Sequence, residues 1–122
     1  MKKIAMLALV AVLSVVLTAC GGGGGPAKQL EVVMGEGGEM KYTPASLEVK
    51  KGEKVEVTIV NKDSAQNHSF LIKDLNVKSK QVQPGQKETL TFTASKAGDI
   101  EFFCDVPGHK DGGMVGTLKV TQ

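Results

Sequence analysis

Residues 46–60 read SLEVKKGEKVEVTIV, two runs of alternating apolar and polar residues that meet at Gly52. A period of two places one face of an extended chain against a core and leaves the other face in water. Lys51 and Glu53 flank the glycine with polar side chains, as is typical where one strand ends and another begins. The segment therefore predicts two half-buried β-strands.

Similar runs recur along the chain after residue 28, separated by turn-forming clusters at 83–86 and 96–99. The further strand candidates are Leu30–Met34, Phe70–Ile72, Leu90–Thr93, Ile100–Cys104 and Leu118–Val120. No 12-residue stretch of helical period follows residue 28. The pattern predicts one all-β domain over residues 29–122, an antiparallel Greek-key sandwich or barrel of about seven to eight strands. Strand pattern alone does not exclude a small adhesion or binding module.

The charge balance excludes one class of partner. All 15 cationic residues of the 122-residue chain are lysines, and removing Lys2 and Lys3 leaves 13 against 13 acidic residues. A nucleic-acid-binding surface needs clustered basic residues. We therefore expect no nucleic-acid partner.

Residues 1–19 have the composition of a secretory leader. Lys2 and Lys3 precede 16 apolar and small residues at positions 4–19. A short basic start before such a run is typical of a signal peptide. The run is shorter than the roughly 20 residues that a spanning helix needs, although a permanent membrane anchor remains the alternative.

Residues 17–20, LTAC, resemble the bacterial lipobox, in which the cysteine is lipidated and becomes the first mature residue. Residues 20–28 would then form a glycine-rich flexible tether. The resemblance implies a protein held outside the cytoplasm, in the periplasm or at the cell surface, by a lipid on Cys20. Cys104 would be left as a lone thiol in an oxidising compartment, which requires burial or a metal.

The segment 104–114 reads CDVPGHKDGGM and lies between two predicted strands. Four residues separate Cys104 from His109, and four separate His109 from Met114. His68 is the only other histidine. A thiolate, two imidazoles and a weak thioether form the ligand set of a blue copper site, which accepts Cu(I) and Cu(II). Each residue also has a structural alternative, a core thiol for Cys104, a surface residue for His109 and a core filler for Met114. Zinc is an alternative, adventitious occupant of a site formed by a thiolate and two imidazoles.

These motifs resemble the cupredoxins, the small type 1 blue copper proteins, and the C-x4-H-x4-M spacing is nearest to the auracyanin and rusticyanin type. The resemblance implies one copper ion per chain, with His68, Cys104 and His109 as equatorial ligands and Met114 as the axial ligand. Many cupredoxins have Asn directly after the first histidine, where it ties the two ligand loops together and donates towards the thiolate. Here Ser69 follows His68 and Asn67 precedes it. Both are candidates for supporting the ligands, and our hypothesis is that Ser69 bonds the sulfur.

The resemblance implies a membrane-tethered one-electron carrier that is monomeric and is not an enzyme. Redox partners such as cytochromes or membrane oxidoreductases would dock transiently at the His109 face, formed by Pro107, Gly108, Gly112, Gly113 and Val115. The alternative is a copper-binding lipoprotein for delivery, storage or stress defence. Copper oxidases and nitrite reductases need a further copper site, which two histidines cannot supply.

Overall fold

A computed structural model describes residues 26–122 of the chain. The predicted leader, 1–19, and the predicted lipidation site, Cys20, lie outside the described residues, as does most of the tether predicted at 20–28. In the described part of the chain there are nine strands: β1 Lys28–Met34, β2 Tyr42–Thr43, β3 Ser46–Lys50, β4 Lys54–Asn61, β5 Leu71–Ile72, β6 Val77–Lys78, β7 Lys87–Thr93, β8 Gly98–Phe103 and β9 Val115–Thr121. Short 3-10 turns occupy Glu36–Gly38 and Lys73–Leu75. Between residues 26 and 122, no helix has the length and apolar character needed to span a bilayer.

The strands form two sheets, with the orders β2-β1-β4-β7 and β3-β9-β8-β5-β6. The predicted all-β sandwich is thus confirmed. Two pairings, β1 with β4 and β3 with β9, are parallel, and the others are antiparallel. For β1 and β4, the parallel pairing goes with a crossover: the chain leaves the first sheet after β2, passes through β3 in the second sheet and returns as β4.

The apolar residues that alternate in the sequence form the core of the structure. In β4 the side chains of Val55, Val57 and Ile59 are completely buried, while those between them are only half-buried. Burial of each such side chain contributes about 1.5–3 kcal/mol to stability. The two sheets therefore enclose one hydrophobic core along the faces that the sequence pattern assigns.

An aromatic cluster closes the core near the loop 104–114. The rings of Tyr42, Phe70 and Phe102 lie 4.8–5.7 Å from one another, two of the three contacts being edge-to-face. The Tyr42 hydroxyl donates a 2.6 Å hydrogen bond to the backbone carbonyl of Ser69. The cluster thereby fixes the backbone directly after His68.

Gly116, in β9, leaves the space that one of these rings occupies. A Cβ at this position would overlap the Phe102 ring and would lie 2.6 Å from the Ala45 carbonyl oxygen. Phe102 is fully buried and cannot move aside. The strand that follows the loop 104–114 therefore requires glycine here for packing.

We expect Gly116→Ala to lower the free energy of unfolding by about 1–3 kcal/mol, because the added methyl group overpacks the core. Urea denaturation measures this change. The control is Lys119→Ala, an exposed position of the same strand, which should change stability by no more than about 0.5 kcal/mol. Equal stability of Gly116→Ala and the parent protein would contradict the packing described.

Candidate metal centre

Two segments meet where β8 ends and β9 begins. In the first, the backbone of His68 is paired with Val82, donating to its carbonyl at 3.1 Å and accepting from its N–H at 2.7 Å. In the second, Cys104 donates its N–H to the carbonyl of Met114 at 3.2 Å, which closes the loop 104–114. Both segments are thus fixed by main-chain hydrogen bonds.

The structure brings three of the predicted ligand residues together. Potential ligand atoms of His68, Cys104 and His109 all lie within 4.8 Å of one another. The exposed fractions of these residues are 0%, 1% and 5%, respectively. A thiol and two imidazoles that converge away from water form a typical site for a soft or borderline metal ion.

The distances between these atoms fit a single ion. His68 Nδ1 lies 3.1 Å from His109 Nδ1, which lies 3.6 Å from Cys104 Sγ. An ion bonded to nitrogen and sulfur at about 2.0–2.3 Å separates such ligand atoms by roughly 3–4 Å. One thiolate with two imidazoles suits copper in both of its common oxidation states.

Met114 occupies the end of the same loop. Its side chain is fully buried. Its N–H donates to the carbonyl of His109 at 3.0 Å, and its carbonyl accepts from the N–H of Cys104. The backbone of Met114 is therefore bonded to two of the three converging residues.

The loop holds its own shape through further backbone bonds. His109 N–H donates to Val106, and Gly112 N–H donates to Gly108, each at 3.0 Å. A Cβ at Gly112 would lie 2.5 Å from the sulfur of Met40, so this position is packed against the neighbouring segment. These contacts restrict the movement of His109 relative to Cys104.

Ser69 lies next to the sulfur atom of Cys104. Its backbone N–H lies 3.4 Å from Cys104 Sγ, and its hydroxyl lies 3.6 Å from the same atom. The hydroxyl also accepts the N–H of Asp105 at 3.0 Å and donates to Asp105 Oδ1 at 2.6 Å. Because a hydroxyl has one proton and the carboxylate contact is much shorter, the backbone N–H supplies the main hydrogen bond to sulfur.

Asn67, the other residue predicted to support the ligands, has a different contact. Its side-chain amide donates to Gln81 Oε1 at 3.5 Å in an exposed position. This bond joins the segment before His68 to the residue preceding Val82. Asn67 is therefore adjacent in sequence to the proposed ligand His68, and its side chain bonds Gln81.

Sequence reasoning missed Asp63. Its Oδ2 lies 2.9 Å from His68 Nε2, and both side chains are buried. The backbone N–H of Ala65 and the His68 ring bond the carboxylate and lower the pKa of Asp63 to about 2, despite burial. Its only signal in the sequence is a carboxylate five positions before a candidate ligand.

The environment of His109 disfavours protonation of its ring. Burial, together with the nearby His68, lowers the pKa of His109 below its usual value. A neutral imidazole has one free nitrogen lone pair, which is the form that binds metals. The electrostatics of the site therefore favour the metal-binding form of this residue.

Comparison with known proteins assigns this arrangement to a family. The model of the cupredoxin-like domain matches residues 4–117. The chain belongs to this family, and the family together with the cluster of two histidines and a cysteine supports one copper ion per chain.

Three individual proteins illustrate the similarity. The chain is 38% identical over 95 residues to plastocyanin of Nostoc punctiforme, covering 68% of this chain and 66% of that protein. It is 51% identical over 39 residues to the copper-resistant cuproprotein CopI of Pseudomonas aeruginosa, covering 32% of this chain but 22% of that protein. Reduced auracyanin from Roseiflexus castenholzii superimposes with a TM-score of 0.72 at 26% identity, covering 80% of this chain and all of that one.

We expect Ser69→Ala to lower the reduction potential by about 20–60 mV while preserving the blue colour. The change removes the hydroxyl that donates to Asp105 Oδ1. The negative charge of this carboxylate beside the sulfur is then less compensated, which favours Cu(II). The magnitude corresponds to a hydrogen bond of about 0.5–1.5 kcal/mol, converted at about 59 mV per tenfold change.

Redox titration followed by visible absorbance measures this potential. The matched control is Ser79→Ala, since Ser79 is buried but bonds the backbone of Phe70 and Lys80. Identical potentials for the parent and both variants would remove the Ser69 side chain from any role in tuning the site.

Proposed function

We propose that this protein is a type 1 blue copper protein that carries one electron at a time between redox partners outside the cytoplasm. The observation that supports the proposal is the buried convergence of one sulfur and two imidazole nitrogens within 4.8 Å. We assign His68, Cys104 and His109 as the equatorial ligands. Met114, buried at the end of the same loop, is the proposed axial ligand.

The chain's own residues limit the rearrangement that accompanies electron transfer. Bound copper supplies the one-electron change between Cu(II) and Cu(I). The pairing of His68 with Val82 and the closure of the loop by Cys104 and Met114 hold the ligand atoms in one arrangement. Burial of the His68, Cys104 and His109 side chains keeps water away from the ligand atoms. A site that changes little between oxidation states exchanges electrons readily.

The surface around His109 is the proposed docking face. His109 is the most exposed of the three converging residues, although only at 5%. Val115 is 36% exposed and is the large hydrophobic residue that the described chain leaves in water. The residues proposed to form this face share small or uncharged side chains: Pro107, Gly108, Gly112, Gly113 and Val115. Redox partners that meet transiently need only a small interface of this kind.

Copper handling is the second candidate function, favoured by the local 51% identity to the copper-resistant cuproprotein CopI. In that role, the protein would bind copper for delivery, storage or stress defence. A rigid site with a thiolate and two imidazoles is poorly suited to releasing Cu(I), so we rank this candidate second. An enzymatic role would need a further copper site with an open position, and the chain has only two histidines.

The cellular location is proposed from the sequence motifs. A lipid on Cys20 and the glycine-rich tether after it would hold a monomeric copper domain near a bacterial membrane. This arrangement would allow the His109 face to reach redox partners at that membrane.

Titration of the purified protein with Cu(II) is expected to give an intense blue or green band that saturates at one copper per chain and is bleached reversibly by ascorbate. Cys104→Ser should abolish the band, because an oxygen ligand replaces the thiolate. Cys20→Ser is the control and should leave it unchanged. A faint band, or oxidation of Cys104 by Cu(II), would refute the electron-carrier proposal.

Reduced, copper-loaded protein should retain Cu(I) when it is mixed with a moderate Cu(I) chelator. The physical reason is that the fold fixes the thiolate and the imidazoles, so they cannot dissociate from the ion one at a time. Absorbance of the chelator complex measures the release. Rapid, complete transfer of Cu(I) would favour copper handling instead.

A further inference from the structure

The carboxylate of Asp63 has both oxygen atoms engaged. Oδ1 accepts the backbone N–H groups of Ala65 and Gln66 at 2.9 and 3.1 Å. Oδ2 lies 2.9 Å from His68 Nε2. A carboxylate accepts hydrogen bonds on both oxygens, whereas an asparagine amide has only one acceptor oxygen. The position therefore calls for aspartate and places it in the acceptor role.

This contact determines the tautomer of His68. Because Asp63 only accepts, the proton of the contact belongs to His68 Nε2. The lone pair of a neutral ring then resides on Nδ1, the atom that lies 3.1 Å from His109 Nδ1. Asp63 thus presents the free nitrogen of His68 to the other proposed ligands.

Asp63 is itself held by a buried amide. Asn61 Oδ1 accepts the Asp63 N–H at 2.9 Å, and Asn61 Nδ2 donates to the carbonyls of Gln66 and Val82 at 2.9 and 2.8 Å. Val82 is also the backbone partner of His68. One side chain at the end of β4 therefore connects the carboxylate to the segment that fixes the imidazole.

The backbone of Gly35 covers the pair. A Cβ at Gly35 would lie 2.5 Å from His68 Nε2 and 2.8 Å from Asp63 Cβ, so a side chain cannot fit there. Its φ of 69° is in the left-handed region that glycine adopts readily. The close approach helps to keep water away from the contact, and a charge in such an environment acts strongly on its neighbours.

The negative charge of Asp63 stabilises bound Cu(II) more than bound Cu(I). The Cys104 thiolate and the Asp63 carboxylate together carry two negative charges, which Cu(II) neutralises and Cu(I) does not. Removal of the carboxylate charge therefore destabilises the Cu(II) form more than the Cu(I) form.

We propose that Asp63 is a positioning residue of the copper site, which orients the His68 imidazole through its Nε2–H and biases the bound ion towards Cu(II). This inference rests on the proposed role of His68 as a ligand. It adds a residue outside the predicted ligand set that controls the affinity and the reduction potential of the site.

The orientation is tested in the metal-free protein by nitrogen-15 NMR of the histidine side chains. We expect His68 to carry its proton on Nε2 and to populate both tautomers in Asp63→Ser. Serine can still accept the backbone N–H two residues ahead and so preserve the turn, which separates the loss of the imidazole contact from unfolding. A His68 proton on Nδ1 in the parent protein, or an unchanged tautomer in Asp63→Ser, would overturn the proposed orientation.

The bias is tested by the reduction potential and by the affinities for Cu(II) and Cu(I). In Asp63→Asn and Asp63→Ser we expect Cu(II) affinity to fall about tenfold more than Cu(I) affinity, which raises the potential by about 59 mV. The control is Asp111→Asn, which removes an exposed carboxylate of the loop 104–114 and should leave the reduction potential unchanged. Equal losses of both affinities, or none, would overturn the bias. Absence of the blue band in the parent protein would refute the proposed function instead, and the NMR measurement would still decide the orientation.

Discussion

The register of β8 against β9 is the constraint on which the centre depends. Phe103 pairs with Val115 as the last pair of the ladder, so Cys104 and Met114 become the two ends of the loop. Both are buried, whereas Val115 is exposed. A slip of one residue would turn every side chain of the strand to the opposite face and would remove the thiol from the core. Packing of Gly116 against the Phe102 ring helps to fix this register.

The other half of the centre comes from a segment that is remote in sequence. His68 is positioned by its bridge to Val82 and by the network of Asn61 and Asp63, whereas Cys104 and His109 are positioned by the hairpin loop. The two halves are joined at Ser69, whose backbone N–H contacts the sulfur. The Ser69 hydroxyl adds two hydrogen bonds to Asp105 across the same junction. Main-chain bonds within each half and these contacts between them are consistent with a site that holds copper in both oxidation states.

The sequence predicted the long strands because alternation directly reports which side chains are buried, as in β4. It did not predict β2 or β6, which are two residues long and too short to show a period. The parallel pairing of β1 with β4 also escaped prediction, because alternation does not specify a partner. The converging residues were predictable because histidine and cysteine are scarce here. Asp63 was not, because it is one of 13 acidic residues and its role depends on how the loop folds.

The central claim is that one rigid set of a thiolate and two imidazoles holds copper in both oxidation states. X-ray absorption at the copper edge, recorded on the oxidised and then the chemically reduced protein, tests it most directly. The account predicts one short copper–sulfur bond and two copper–nitrogen bonds in both spectra, with little change in bond length. Loss of a nitrogen ligand on reduction, or a copper ion without a short sulfur bond, would contradict it.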